Sequence, residues 1–321
     1  QTMDWKDDFR TPLSNQAKNE IGEEAKLLDA YLVGDFDLGD MMLTLKGGNQ
    51  VLNWGESLFI QNGINSMSPI DVSKLRTAGA ELRDALEALP MIHGSLAMND
   101  RFTLEGFVPF QWKNTEIDPE GTYFSTNDFA SPGGTRVLLG FGQPGISDTE
   151  SNAALGVGAP VGVDVIRAAD LEARDGGEFG VALRWFEPKL NDFEFGFYFT
   201  RLHSRLPLIS GWTGLLQGGF DAGNYAGSAN YFREFPEDID TYGFSFNGVV
   251  KGLALQGEVA LKNNQPLQAD DVELLFGALS PLDPIIGLGA PGVGFKQSQL
   301  AGGTPFGFDE YIPGFRRKDV I

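Results

Sequence analysis

Two histidines, His93 and His203, are the side chains best suited to acid–base chemistry at neutral pH. Neither has a serine, a cysteine or a carboxylate at the spacing of a catalytic motif, and the chain contains no cysteine. Thiolate catalysis, disulfides and cysteine-based metal sites are therefore excluded. We predict that both histidines are structural, that the protein is not an enzyme and that it has no catalytic residues and no cofactor.

Clustered carboxylates could instead bind a hard cation such as calcium. One cluster lies at residues 35–40, where Asp35, Asp37 and Asp40 surround Gly39, and a looser one spans residues 164–178. Both lack the spacing and the terminal glutamate of an EF-hand. Acidic turns explain them better, so we predict no metal ligand. Calcium binding by these acidic loops is the alternative.

Charge and composition limit the class of protein. The chain has 24 basic and 44 acidic residues and a formal net charge of −20. Such a surface repels phosphates, so nucleic acid is not a predicted partner. The 42 glycines and 25 phenylalanines favour strands and turns. No run of about 18 apolar residues occurs, so no transmembrane helix is predicted.

A strand that could cross a bilayer is predicted near residue 195. Its phenylalanines share one face because side chains alternate along a strand, and glycine, tyrosine, threonine and glutamate share the other. A second strand repeats the pattern. The predicted lipid-facing residues are Phe193, Phe195, Phe197, Phe199, Phe244 and Phe246. The polar face suits a wet lumen.

Short turns at 188–191 and 250–252 alternate with long connections at 142–177 and 204–240. This alternation of short turns and long connections is typical of outer-membrane barrels. The predicted fold is all-β: the N-terminal portion of an antiparallel transmembrane β-barrel in the lipid bilayer, with a helical insertion and long outer loops. Residues 1–321 form one domain, predicted to be incomplete at its C-terminus. The alternative is a soluble sandwich whose phenylalanines pack in a core.

Residues 71–89 predict an amphipathic helix inserted between strands. Leucines at 75, 82, 86 and 89 form a stripe with charged residues beside it. We interpret this insertion as a plug in the lumen or a periplasmic cap. The alternative is a helix packed on a soluble sheet.

Several motifs carry a family resemblance. They occupy residues 53–60, 63–65, 69–71, 74–76, 79–82, 118–125, 127–128 and 311–313. As a set they resemble a proteobacterial outer-membrane barrel family classified as a domain of unknown function. Its genes often stand beside those of an RND-type exporter and a LolB-like periplasmic protein. The resemblance implies a barrel in the bacterial outer membrane that passes lipid-like or sterol-like molecules, with those two proteins as partners.

Polar residues within these motifs, together with leucines of the predicted helix, are candidates for a gate. The candidate gate or plug residues are Glu56, Asp71, Lys74, Arg76, Leu82 and Leu86. A structural cap held by salt bridges is the alternative for the charged members. The predicted function is thus an outer-membrane channel for hydrophobic or amphipathic small molecules. The alternative is a soluble or surface-exposed binding or structural β protein without transport.

Overall fold

The computed structural model describes residues 13, 15–21, 27–56, 63–76, 79, 82–138, 164–216 and 222–321. Its strands, in chain order, are β1 (Ala30–Leu38), β2 (Met41–Gln50), β3 (Leu89–Ala97), β4 (Phe102–Pro109), β5 (Arg136–Leu138), β6 (Asp164–Arg167), β7 (Phe179–Glu187), β8 (Phe193–Leu202), β9 (Leu208–Trp212), β10 (Asn230–Glu234), β11 (Ile239–Val250), β12 (Leu253–Gln268), β13 (Tyr311–Ile312) and β14 (Phe315–Val320). The α-helices are α1 (Asn15–Ile21), α2 (Leu82–Ala85), α3 (Ala222–Ser228) and α4 (Asp271–Leu279).

A large antiparallel sheet dominates the fold. Its nine strands lie in the order β1-β2-β3-β4-β7-β8-β11-β12-β14. The prediction of an all-β antiparallel protein with few helices is confirmed. No closed barrel is formed by the described strands, because β1 and β14 are the two edges of an open sheet. None of the described helices is long and apolar enough to cross a membrane.

The connections of this sheet alternate between short and long. Turns at 39–40, 98–101, 188–192 and 251–252 join strands at one end. Connections at 51–88, 110–178, 203–238 and 269–314 join them at the other, since an antiparallel meander reverses direction at each strand. Both short turns predicted from the sequence are present. Asn191 and Lys251 adopt positive φ there, as tight turns require.

The long connections carry a second sheet that the sequence did not predict. Its five strands lie in the order β13-β9-β10-β6-β5, with β10 and β6 parallel. Segments 164–167, 208–212 and 230–234, predicted as loop, are strands of this sheet. They have only four or five residues each, too few to show an alternating pattern. The rest of the predicted loop at 142–163 lies outside the described residues.

The two faces of the nine-stranded sheet differ in polarity. On the outer face a row of paired residues crosses eight strands, and all of its members are large and apolar: Phe36, Leu43, Leu96, Leu104, Leu183, Phe197, Phe244 and Val259. Phe197 is 45% exposed and Val259 is 57% exposed. The neighbouring inner row mixes polar residues with small ones and one tyrosine: Asp35, Thr44, Ser95, Glu105, Ala182, Tyr198, Gly243 and Ala260.

The core lies against the inner face. Trp54 packs edge-on against Phe107, with ring centroids 5.0 Å apart, and also contacts Tyr198. Leu89, Met91 and further residues of β7 and β8 complete the cluster. Tyr198, expected in a wet lumen, is only 5% exposed, because the chain between β2 and β3 covers it. That expectation is therefore wrong for this position.

The predicted helix at 71–89 is broken into short pieces. The described part contains a 3-10 turn, Lys74–Arg76, and the four-residue α2. Gly79 between them has a φ of 82°, in the left-handed region that ends a helix. The backbone N–H of Asp71 donates to the carbonyl of Ala85 at 2.8 Å, so the two ends of the insertion pair with each other. Leu89 already belongs to β3 and lies in the core.

Candidate functional site

The chain between β2 and β3 returns along the inner face, where one carboxylate holds it. Glu258 of β12 accepts hydrogen bonds from the backbone N–H of Glu56 at 2.8 Å and of Ile64 at 3.1 Å. The indole Nε1 of Trp54 donates to Glu105 of β4 at 2.8 Å. We call residues 52–56 and 63–67 the inner segment. It covers part of the inner face of the sheet and is held there by hydrogen bonds to Glu258 and Glu105.

Charged side chains surround the inner segment. Arg184 of β7 donates from Nε to Glu105 at 2.6 Å and from Nη1 to Glu194 at 2.9 Å. Asn247 of β11 donates to the Glu56 carboxylate at 3.3 Å. Arg184 therefore offsets part of the negative charge of Glu105 and Glu194, and carboxylates outnumber cations around the inner segment.

The other predicted gate residues lie in the 71–89 insertion. Lys74 is 3.3 Å from Asp71, and Arg76 forms an ion pair with Asp118. Such ion pairs are the pattern expected of a salt-bridged cap, whereas Glu56 stands on the inner face of the sheet.

Of the two leucines in the candidate gate, the structure describes the side chain of Leu86. Leu86 forms an isolated bridge with Ile70 at the base of the insertion. The side chain of Leu82 lies outside the described residues.

Carboxylates come together at one place in the described part of the chain. Oxygen atoms of Asp71, Glu87 and Glu116 all lie within 4.8 Å of one another, a spacing that suits a hard cation. Asp71 also pairs with Lys74 and accepts a hydrogen bond from Ser73. These partners already offset part of its charge.

The acidic turn at residues 35–40 is the hairpin between β1 and β2. Thr44 of β2 donates a hydrogen bond to the carboxylate of Asp35 at 2.6 Å. The Asp35 carboxylate thus stabilises the hairpin through a cross-strand hydrogen bond, which agrees with the interpretation as an acidic turn.

His203 is fully buried and both ring nitrogens have partners. Nδ1 accepts from the backbone N–H of Asp238 at 3.1 Å, so Nε2 carries the proton and donates to the carbonyl of Gly176 at 3.0 Å. This is the arrangement of a structural histidine. His93 lies on the inner face, 3.5 Å from Glu105.

A buried ion pair joins the end of the nine-stranded sheet to the long connections. Arg205 donates to Glu178 at 2.9 Å, and both side chains are at most 8% exposed. Glu178 also accepts from the backbone N–H of His203, while Arg205 reaches the carbonyls of Met67 and Lys113. Burial lowers the pKa of Arg205, and Glu178 opposes that effect. No motif in the sequence marks this pair, because its members are 27 residues apart.

A second group of ion pairs, which we call the Asp170 brace, joins two neighbouring strands of the five-stranded sheet. Asp170 accepts hydrogen bonds from Arg167, which ends β6, and from Arg233 of β10, at 2.6–3.2 Å. Burial alone would raise the pKa of Asp170, but the hydrogen bonds from Arg233 and Arg167 outweigh burial and lower it.

The Asp170 brace makes the stability of the folded protein depend on pH. A carboxyl whose pKa is lowered by folding stabilises the fold above its unfolded pKa of about 3.9 and loses that effect as pH falls through the folded pKa. We expect Asp170→Asn to melt below wild type at neutral pH, and the gap to narrow from about pH 4 downward. Melting temperatures from pH 2 to 7 test this. A gap of constant size across the series would show that Asp170 does not contribute through its charge.

A cavity of about 600 Å³ lies between the five-stranded sheet and α4. Its wall is formed by β5, β6, β9 and β10 on one side, α4 on another, and the chain at 120–129. Apolar residues dominate its lining, including Val137, Val165, Ile209, Trp212, Val272, Leu274 and Leu275. This volume is in the range of small-molecule sites. Sequence patterns did not reveal the cavity, because its walls come from seven separate segments of the described chain.

The comparisons with known proteins place the chain in a family without assigning a role. Neither the curated proteins nor the solved structures contain a significant match. The model of one family, described as "Protein of unknown function (DUF1302)", matches residues 1–321. A match over the whole chain shows family membership. The chain therefore belongs to the DUF1302 family of proteins of unknown function.

Proposed function

We propose that this chain is part of an outer-membrane β-barrel that passes hydrophobic or amphipathic small molecules. The observation that carries the proposal is the apolar row across eight strands on the outer face. Soluble monomers rarely expose contiguous apolar patches above a few hundred Å². Lipid would cover this face, whereas a soluble protein would need another partner for the whole sheet.

Three further features support a membrane barrel. Eight of the nine strands have 8–16 residues, enough for a tilted crossing of about 9–11 residues in most cases. Beside the core cluster, the inner face carries charged and hydrogen-bonding side chains such as Glu105, Arg184 and Glu258, as the lumen of such barrels does. All short turns lie at one end and all long connections at the other, so we assign the short turns to the periplasm.

The fractionation of the full protein tests this proposal. We expect it in the outer-membrane fraction and in the detergent-rich phase after detergent phase separation. Recovery in the aqueous phase without detergent would refute the membrane assignment and favour a soluble binding or structural protein. The RND-type exporter and the LolB-like protein are the proposed partners, and co-purification from cross-linked envelopes tests them.

The inner segment is the proposed plug, and Glu258 is its anchor. Glu258→Ala removes the acceptor for two backbone N–H groups, and hydrogen bonds to charged groups contribute about 1.5–3 kcal/mol each. We expect the inner segment to detach and the uptake of small polar solutes by cells to increase. Glu258→Gln keeps one oxygen acceptor and should leak less.

Gln256→Ala is the matched control for the plug experiment. Gln256 is exposed, lies on the same strand and face as Glu258, and stands two residues away. Its substitution should leave solute uptake unchanged. Equal uptake in the Glu258→Ala and Gln256→Ala variants, with normal assembly of both, would mean that the inner segment is a structural element and not a plug.

A further inference from the structure

The cavity beside α4 exposes apolar side chains in a concave site. Trp212 of β9 is 40% exposed and Val272 of α4 is 43% exposed, and both line the cavity. Trp212 pairs across the sheet with Asn230, which also lines it. An apolar ligand that displaces water from exposed apolar side chains in a cavity binds with a more favourable free energy. The walls therefore favour a hydrophobic molecule.

The charged part of the lining is mostly acidic. Glu120, Asp128 and Asp271 contribute carboxylates, and Arg136 contributes the one cation of the described lining. Asp128 accepts hydrogen bonds from Ser125 and from the backbone of Gly121, so it is held in place beside the cavity. An excess of negative charge at this site disfavours ligands that end in a carboxylate or a phosphate.

One polar group in the lining has no partner. The side-chain oxygen Oδ1 of Asn230 is buried and makes no hydrogen bond to any described residue. The hydroxyl of the adjacent Tyr231 is already engaged, because it donates to the carbonyl of Phe129 at 2.8 Å. Burial raises the pKa of Tyr231, so the phenol adds no negative charge. An unpaired buried oxygen is costly, and a ligand hydroxyl could donate to it once the Asn230 amide has rotated toward the cavity.

We propose that this cavity binds a hydrophobe whose head group is not anionic and donates a hydrogen bond, as that of an aliphatic alcohol does, with Asn230 accepting that hydrogen bond. The assignment of such a molecule as the transported cargo rests on the proposed function, whereas its binding to the cavity does not. An aliphatic alcohol, a carboxylate and an amine with the same alkyl chain separate the contributions of chain and head group.

Tryptophan quenching tests the proposal on the full protein in amphipol. The probes are 1-hexadecanol, hexadecanoate and hexadecylamine, each brominated on the chain, at pH 8. Bromine quenches a tryptophan only on contact, so loss of the signal in Trp212→Phe would locate the ligand. We expect the alcohol to bind about tenfold or more tightly than the carboxylate, as one differential hydrogen bond or charge repulsion allows.

Two pairs of variants sharpen the test. Val272→Phe narrows the cavity and should weaken binding of the alcohol about tenfold. Val293→Phe, at a 46% exposed valine outside the lining, is the matched control and should have no effect. Asn230→Leu should remove the preference for the alcohol over brominated hexadecane, while Asn230→Gln should restore part of it.

The outcomes distinguish this proposal from the membrane assignment. Carboxylate binding as tight as alcohol binding, or quenching unchanged by Trp212→Phe and Val272→Phe, would overturn the cavity proposal even if the protein fractionates with the outer membrane. Recovery of the protein in the aqueous phase would refute the barrel but leave a positive binding result standing.

Discussion

Substitution of Glu178 by glutamine is expected to lower the free energy of unfolding by about 3–5 kcal/mol. The variant leaves the Arg205 guanidinium buried without its counter-ion, which costs more than the intact pair contributes. Glutamine keeps the shape and an acceptor for the N–H of His203, so the loss reports mainly the uncompensated charge. Denaturant unfolding of the purified protein measures it.

Two controls separate charge from packing. Glu237 is partly exposed and pairs with the exposed Arg174, and Glu237→Gln should cost less than about 1 kcal/mol because solvent screens such pairs. Adding Arg205→Met to Glu178→Gln removes the uncompensated charge and should recover much of the loss. A Glu178→Gln variant no less stable than Glu237→Gln would show that the buried pair is not maintained in solution.

Strands β8 and β11 of the nine-stranded sheet could be predicted from the sequence because their pattern is local. In β8 the phenylalanines recur at every second position over seven residues, and this fixes both the strand and the shared face. The turns that join β7 to β8 and β11 to β12 are short enough to define hairpins directly. Exposure of Phe197 on the face opposite the core agrees with the predicted orientation.

The parts that sequence analysis missed depend on contacts between distant segments. Leucine spacing predicted a helix at 71–89, but pairing of Ile70 with Leu86 and the turn at Gly79 replace it. The acceptors that hold the inner segment are nearly 200 residues away from it, at Glu258. Alternation along a strand gives the face of a residue, but not which chain segment covers that face. Tyr198 was misplaced for this reason.

The outer face offers the sharpest test of the environment of the sheet. Phe197 lies in the middle of the apolar row, paired with Leu183 and Phe244, and is 45% exposed. If lipid covers this row, Phe197→Arg should cost about 2–4 kcal/mol, because an arginine near the middle of a bilayer is poorly solvated. If water covers it, the arginine is solvated and the cost should be within about 0.5 kcal/mol.

The inner face supplies the control at the same level of the sheet. Tyr198→Arg is unsuitable, because Tyr198 is buried against Trp54 and bonded to Ser245. Ser95 lies on the inner face, is only partly buried and pairs across the sheet with Glu105, so an arginine there gains a carboxylate neighbour. Folding into vesicles, followed by urea titration, should show a large loss for Phe197→Arg and little for Ser95→Arg. A loss for Phe197→Arg within about 0.5 kcal/mol, or one no larger than the loss for Ser95→Arg, would remove the main support for the membrane barrel.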